Sequence, residues 1–586
     1  MSATGTYQWR FNGVELPGET GTTLVLTNIQ LAHQGRYSVV VGTGDGGTTT
    51  NFTYLTVDPQ FSTVSEGPLV ATRESGWSCN WWDFDRDGNL DLFVPNGAEA
   101  SSNEASALFR GDGQGGFTRV SESEGGPLVS DRGRWTVAAC GDYDNDGFDD
   151  VVVASWTAGQ PIRLYRSRAG GGFEKVLNPA SFGPGWGTPT WGDYDLDGWL
   201  DLYIGSGEYS VAATRPVLWH NEGGGVFVEV RNSPAVTSPF ADTMAATWTD
   251  YDGDGDPDLF VTDHTLQQVA LYRNSGHGDL TRTSAGSLTS DRFTALVPAF
   301  ADYDNDGDLD VLVSGYTGST RLYGNTGDGQ FALQFSMSGT EAGRPAWGDY
   351  DNDGYLDFYL PQGQGGPVAN QFWRNNGDGT FLPLTIGSPA GDVGYSPAAS
   401  WGDYDNDGFL DLFVPGNKGE VDHLYHNNGN SNSWLMVNLL GTVSNRSAIG
   451  AKVRVWATLG GKRVWQMREL SGGNRAQDDP RAHFGLGTAP AADIVRIEWP
   501  SGIVQELRNV PAKQILTVTE PPALEALGEG RVRILCWARQ SYEVEASDNL
   551  QTWHTLGVTD TDQSRPVVLD PGAAGKSHRF YRAKGL

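Results

Sequence analysis

Cysteine is nearly missing from this chain: three residues, at positions 79, 140 and 536, in a total of 586. That excludes the disulfide framework on which small secreted modules rely. Basic residues are scarce too. Forty Lys and Arg stand against 72 Asp and Glu, for a formal net charge of −32. Such a surface repels phosphate backbones and anionic lipid, which argues against nucleic acid and acidic membranes as partners. No apolar run is long enough to span a bilayer. The nine His are scattered, and no Gly-x-Ser-x-Gly elbow or His-Glu-x-x-His pair occurs, which removes two common hydrolytic designs. With 79 Gly and 11% aromatic residues, the composition suits a turn-rich all-β protein, and the length calls for more than one domain.

What is abundant is aspartate, and it is periodic. A nine-residue pattern with Asp at positions 1, 3, 5 and 9 and Gly at 6 occurs seven times. The candidate metal ligands are Asp83, Asp85, Asp87 and Asp91; Asp142, Asp144, Asp146 and Asp150; Asp193, Asp195, Asp197 and Asp201; Asp250, Asp252, Asp254 and Asp258; Asp302, Asp304, Asp306 and Asp310; Asp349, Asp351, Asp353 and Asp357; and Asp403, Asp405, Asp407 and Asp411. Alternate carboxylates can turn their oxygens to one point, Gly permits the sharp turn, and a hard cation such as Ca²⁺ takes six to eight oxygens. Without a cation, two carboxylates about 4 Å apart repel by roughly 4 kcal/mol at an effective dielectric near 20. The pattern therefore predicts about seven Ca²⁺, one per repeat. The loop starts like an EF-hand, but position 12 of the last copy is Val414 where an EF-hand has Glu. Leu410, Leu412 and Val414 then alternate as a strand does. A metal loop inside a β-hairpin results.

The repeat length of about 50 residues is that of a propeller blade. Downstream of each metal loop comes an apolar-aromatic pair, a polar residue, a Gly-rich turn and usually Phe, best seen in Phe372-Trp373-Arg374-Asn375-Asn376-Gly377-Asp378-Gly379-Thr380-Phe381. This reads as a hairpin, so each repeat supplies four strands. The seventh hairpin, Leu424-Tyr425-His426-Asn427, lacks its final Phe strand, and Phe61–Ser65 has the matching pattern ahead of the first loop. The first repeat segment is expected to complete the seventh blade. Trp191, Trp248, Trp347 and Trp401 stand two residues before metal loops and read as blade packing. Cys79 and Cys140 stand just before neighbouring loops; a bond between them and two small buried residues are both open.

These residues resemble FG-GAP/VCBS repeats, a family of seven-bladed propellers that includes the integrin α-chain head and carries calcium in blade loops. The resemblance implies a propeller over residues 58–430. Residues 431–519, with Ile449-Gly450-Ala451-Lys452, Arg468-Glu469-Leu470-Ser471-Gly472-Gly473 and His483-Phe484-Gly485-Leu486-Gly487, resemble the ASPIC/UnbV domain. That domain follows FG-GAP repeats in the cartilage acidic protein-like group and in many bacterial secreted proteins. Residues 1–57 resemble part of an immunoglobulin-like domain, with Trp9 as core Trp and Tyr37 as tyrosine corner. The strands expected before Trp9 and a leader are both missing, so a truncated start is expected. Glu520-Pro521-Pro522 reads as a stiff linker, and residues 520–586 as a small C-terminal β-sandwich module.

The fold class expected is thus all-β: a seven-bladed propeller flanked by an immunoglobulin-like domain and C-terminal β-sandwich domains. Function is expected to be non-enzymatic adhesion or binding of a glycan or protein, by an extracellular or cell-surface monomer. The alternative is a carbohydrate-active enzyme, a polysaccharide lyase or sugar dehydratase working on one propeller face, but no catalytic constellation can be assembled. His220 and His426 hold the position of Arg in sister hairpins and read as structural. Arg110-Gly111-Asp112 reads as an accident of the repeat, and Asn51 and Asn445 fit glycosylation acceptors. The segments after the propeller carry no Asp loops, so chelation is expected to unfold the propeller and leave them standing.

Overall fold

The computed structural model describes residues 6–585, except 27–32, 34, 43–46, 56–59, 72–74, 98–102, 156–159, 177–181, 183–186, 207–214, 238–242, 264–265, 316–317, 339–342, 364–365, 386, 388, 529–530, 536–541, 560–566 and 574–578. Cys536 lies outside the described residues. The chain is all-β with a propeller at its centre. Successive antiparallel sheets of four strands repeat one order, inner strand to outer strand, and are numbered here as blades by their Asp loops. In the last of them Trp401 pairs with Leu412, and Leu412 with Tyr425. Leu412 and Val414 pack into one cluster and Phe413 into the next. Neighbouring blades cover both faces of each sheet, so Leu412-Phe413-Val414 can be continuously apolar instead of alternating.

The fourth strand of blade 7 is Phe61–Thr63, with Thr63 opposite Tyr425 and Phe61 opposite Asn427. The hairpin pattern had placed it there. Phe413 of blade 7 meets Trp81 of blade 1 edge-on at 6.3 Å, so the first and last sheets of the repeat array pack against each other. The inner-strand Trp residues knit adjacent blades. Trp191, Trp347 and Trp401 donate their indole N–H to Ala139, Ala299 and Ala346 of the preceding inner strand. Trp191, Trp248 and Trp347 also stack on the position-2 tyrosines Tyr143, Tyr194 and Tyr303 of the preceding loop.

Ahead of the propeller, strands Thr6–Phe11, Val14–Glu15, Gly35–Gly42 and Thr48–Leu55 form one antiparallel sheet. Tyr37 is buried and donates its hydroxyl to His33 O, four residues upstream, the contact of a tyrosine corner. Trp9 is only half-buried and donates to Gly21 O, and no facing sheet occurs among the described residues. At the other end, Ile534, Tyr542 and Val544 form the core between two three-stranded sheets.

Residues 433–519 form a two-sheet sandwich around Val453, Val455, Phe484, Val495 and Ile497. Between strands Lys462–Glu469 and Ala482–Gly487 the chain leaves this sandwich and enters the propeller axis. Gln477 exchanges backbone hydrogen bonds with Cys79 and Trp81 of blade 1, and its side chain accepts from the Cys140 N–H of blade 2. Gly472 O accepts from Trp191 N–H of blade 3, Asn474 Nδ2 donates to Pro298 O of blade 5, and Asp478 accepts from Trp401 N–H of blade 7. Only a segment on the axis can reach five inner strands at once. Residues 470–481 therefore plug the propeller.

Candidate metal centres

Each Asp loop joins the first strand of a blade to the second, and position 9 is the first residue of that second strand. The loop turns on two left-handed residues. Gly at position 6 has φ between +88° and +99° in all seven copies, as its sequence position suggested. Position 4 is left-handed as well, at φ between +53° and +73°. Its occupants are Arg86, Asn145, Leu196, Gly253, Asn305, Asn352 and Asn406, and the preference for Asn and Gly was the available signal. Asn145, Asn305 and Asn352 each donate their side-chain amide to the position-6 Gly carbonyl of the next blade, linking the loops around the ring.

The four carboxylates have different duties. Position 5 accepts the N–H of position 7 in every copy, as Asp407 does from Phe409. Position 1 accepts the N–H of the Gly, as Asp403 Oδ2 does from Gly408 at 3.0 Å. Position 9 reaches the third strand: Asp411 Oδ1 accepts from Asn427 N–H at 2.7 Å and Oδ2 from Tyr404 N–H. These bonds hold the oxygens together. Ligand atoms of Asp83, Asp85 and Asp91, of Asp142, Asp144 and Asp146, and of Asp193, Asp195 and Asp197 lie within 4.8 Å of one another. Burial, reinforced by neighbouring carboxylates, raises Asp91 to about 8 and Asp258 and Asp310 to about 9. The same causes push Asp142, Asp193 and Asp357 well up. Asp193 Oδ1 and Asp250 Oδ1 are buried with no donor among the described residues. Carboxylates so crowded, desolvated and under-supplied with donors fit a hard cation such as Ca²⁺, which would offset the charge of Asp at positions 1, 3, 5 and 9.

A basic side chain from the third strand leans over most loops. Arg110 pairs with Asp85 at 2.6 Å, Arg166 with Asp144 at 2.6 Å, Arg273 with Asp252 at 2.7 Å and Arg374 with Asp351 at 2.7 Å. His220 and His426 take this place in blades 3 and 7, and Gly324 in blade 5. The hydrogen bond to Asp201 raises His220 to about 9. The next residue was missed as a structural device. Asn221, Asn274, Asn325, Asn375 and Asn427 each donate twice, to a position-2 carbonyl of the preceding loop and to a carbonyl in their own blade; Asn375 reaches Tyr303 O and Leu356 O.

A family model described as "FG-GAP-like repeat" matches residues 83–153, 142–204, 209–261, 250–313, 302–360 and 363–414, which together exceed half of the chain. This chain belongs to the FG-GAP repeat family. A second model, "ASPIC and UnbV", matches residues 441–525. The FG-GAP chain is 28% identical to Cartilage acidic protein 1 of Mus musculus over 312 residues, 52% of this chain and 40% of that protein. It is 30% identical to Integrin alpha-4 of Xenopus laevis over 155 residues, 23% of this chain and 15% of that protein. The chain thus spans well under half the length of these relatives. Among solved structures, the BP39L lectin of Burkholderia pseudomallei aligns at 12% identity and TM-score 0.43, covering 61% of this chain and 96% of that one.

The ASPIC/UnbV motifs are what seat this domain on the FG-GAP loops. Ser447 Oγ accepts from Asp142 N–H and donates to Asp149. Lys452 Nζ donates to Asp250 Oδ2 at 2.6 Å, and Glu469 accepts from Thr249 Oγ1 and Asp250 N–H. Arg454 donates to Gly307 O, and Gly485 N–H to Asp349 Oδ2 at 3.1 Å. A Cβ at Gly485 would stand 2.0 Å from that oxygen, so only Gly allows the approach. Arg481 donates to Asp403 O and pairs with Asp479, both side chains buried. The domain carries no Asp loop of its own but bonds directly to those of the propeller.

Four smaller readings are also decided. Cys79 and Cys140 are buried free thiols. Arg110 is tied up by Asp85 and Glu124, so the Arg-Gly-Asp tripeptide offers no free Arg. Asn445 is fully buried, its side chain bonded to Ile449 N–H and O, and cannot accept a glycan in the folded chain. Glu520 is no mere linker: its buried carboxylate accepts from the N–H groups of Thr442, Val443 and Ser444, which anchors the end of the ASPIC/UnbV domain.

Proposed function

We propose that this FG-GAP protein is an extracellular, calcium-loaded propeller that binds a glycan or protein ligand without catalysing its turnover. The observation that carries this reading is the occupation of the metal-loop face. The ASPIC/UnbV domain sits on that face and fills the axis with residues 470–481. We assign the ligand to the opposite face, where second strands lead to third strands and one blade leads to the next. Calcium in the Asp loops makes the blades rigid and fixes that face, and sites of this type fill at extracellular concentrations. No helix among the described residues is long and apolar enough to cross a membrane.

Two measurements on the full chain test the proposal. Metal analysis after calcium loading should find about seven cations per chain, one for each Asp loop; two or fewer would overturn the calcium reading. Glycan and extracellular-protein arrays probed with calcium present should give hits that chelation removes. Absorbance at about 235 nm, roughly where unsaturated uronates absorb, is followed with the bound glycans; sustained product formation would replace the binding reading by a lyase.

A further inference from the structure

The residue that the third strand hangs over each metal loop divides the blades chemically. In blades 1, 2, 4 and 6 it is Arg, whose guanidinium carries no lone pair and can serve only as counter-charge to the loop. In blades 3 and 7 it is histidine, which offers a nitrogen ligand once a metal ion displaces its proton. His220 Nδ1 lies 3.1 Å from Asp201 Oδ1 and 3.4 Å from Asp195 Oδ2. His426 Nδ1 lies 3.2 Å from Asp411 Oδ1 and 3.6 Å from Asp405 Oδ2. Two ligands at about 2.1 Å from a tetrahedral Zn²⁺ stand roughly 3.4 Å apart, so these separations suit a shared ion. The nitrogen and two carboxylate oxygens of each set lie within 4.8 Å of one another. In blade 3 a second observation points the same way. Asp193 is 3% exposed, its Oδ1 has no donor among the described residues, and its oxygen clusters with those of Asp195 and Asp197. A buried acceptor left open in the same loop, sharing Asp195 with the histidine cluster, is a place for a cation.

We infer that blades 3 and 7 are sites for a borderline divalent metal of the Zn²⁺ class, held by His220 with Asp195 and Asp201 and by His426 with Asp405 and Asp411, whereas the all-oxygen loops select a hard cation. Imidazole nitrogen favours Zn²⁺, Co²⁺ and Ni²⁺ over Ca²⁺, and carboxylate oxygen alone gives no such preference. The inference rests on the reading that the Asp loops hold cations and adds which cation two of them choose. The competing account is that each His is protonated and merely replaces Arg as a counter-ion.

The test uses the full chain, stripped with chelator and reloaded with Co²⁺ or Zn²⁺ in millimolar Ca²⁺. The variants are His220→Arg, His426→Arg and the double variant, which carry the residue that four sister blades accommodate. The wild type should retain two transition ions per chain against calcium, with visible absorption from Co²⁺ bound to nitrogen and oxygen. Each single variant should lose one ion and half the absorption, and the double variant should lose both while keeping its calcium content in the other loops. If the wild type keeps no Zn²⁺ under calcium, or the double variant keeps as much as the wild type, the histidines are counter-ions and the inference fails. If no loop holds any cation, the inference falls together with the calcium reading, and total metal content tells the two failures apart.

Discussion

The propeller and the segment that plugs it were built by opposite rules. Every blade solves the same local problem with the same residues: four Asp, two left-handed positions and, in most blades, an Asn that reaches back to the preceding blade. Residues 470–481 repeat nothing and make no regular element, yet they touch five inner strands. One region is stabilised by short-range repetition, the other by contacts between residues hundreds of positions apart. The comparison teaches that the metal loops are both blade elements and the seat of a second domain.

If the Asp loops hold cations as proposed, chelation has the largest expected effect. A ligand that binds only the folded state stabilises it by about 2.7 kcal/mol per site at a hundredfold excess over Kd, so even a few filled loops rival the 5–15 kcal/mol typical of a domain. EDTA should lower the melting temperature of the propeller sharply and, because Lys452, Arg481 and Gly485 bond the loops directly, the ASPIC/UnbV transition should move with it. Calorimetry showing the second transition fixed while the first collapses would restore the picture of independent domains.

A smaller break is aimed at the seat itself. Arg481→Ala leaves Asp479, 3% exposed at its side chain, without its ion-pair partner, with only the backbone N–H groups of Arg481 and Asp403 as donors among the described residues. Losing one member of a buried pair costs about 3–5 kcal/mol. Denaturant unfolding in saturating calcium should show that loss with the metal content unchanged; a loss below 1 kcal/mol would mean the plug contributes little. Next in size is the blade staple. Asn375→Ala strands two buried carbonyls, Tyr303 O and Leu356 O, for about 2–3 kcal/mol, and should speed amide exchange at blades 5 and 6 before other blades. Uniform exchange across the ring would argue against a local staple.

The smallest effect depends on pH. His483 is buried against Gly408 O of the last metal loop. Burial, with Arg468 and Arg481 nearby, lowers it to about 3. The unfolded value is about 6.5, so the folded state binds its proton more weakly. The stability this neutral ring contributes is complete above pH 6.5 and is lost as pH falls toward 3, at up to about 1.4 kcal/mol per unit. Between pH 7.5 and 5, wild-type melting in calcium should fall more steeply than that of His483→Gln; parallel curves would show that the ring does not titrate with unfolding.

The all-β class, the propeller, the Asp-loop pattern and the strand that completes blade 7 were legible in the chain, because spacing and repetition record them. Phe61–Thr63 could be matched to a missing strand only because sister hairpins showed what was missing. Position 4 of the loops was legible in principle, since Asn and Gly recur there, but Arg86 and Leu196 blurred the signal. How the carboxylates divide their work, and what covers them, emerges only once the chain is folded. Gln477, Arg481 and Gly485 look like ordinary turn and strand residues in the chain. Their partners lie in blades reached through the ring, and no periodicity records a contact that is made once.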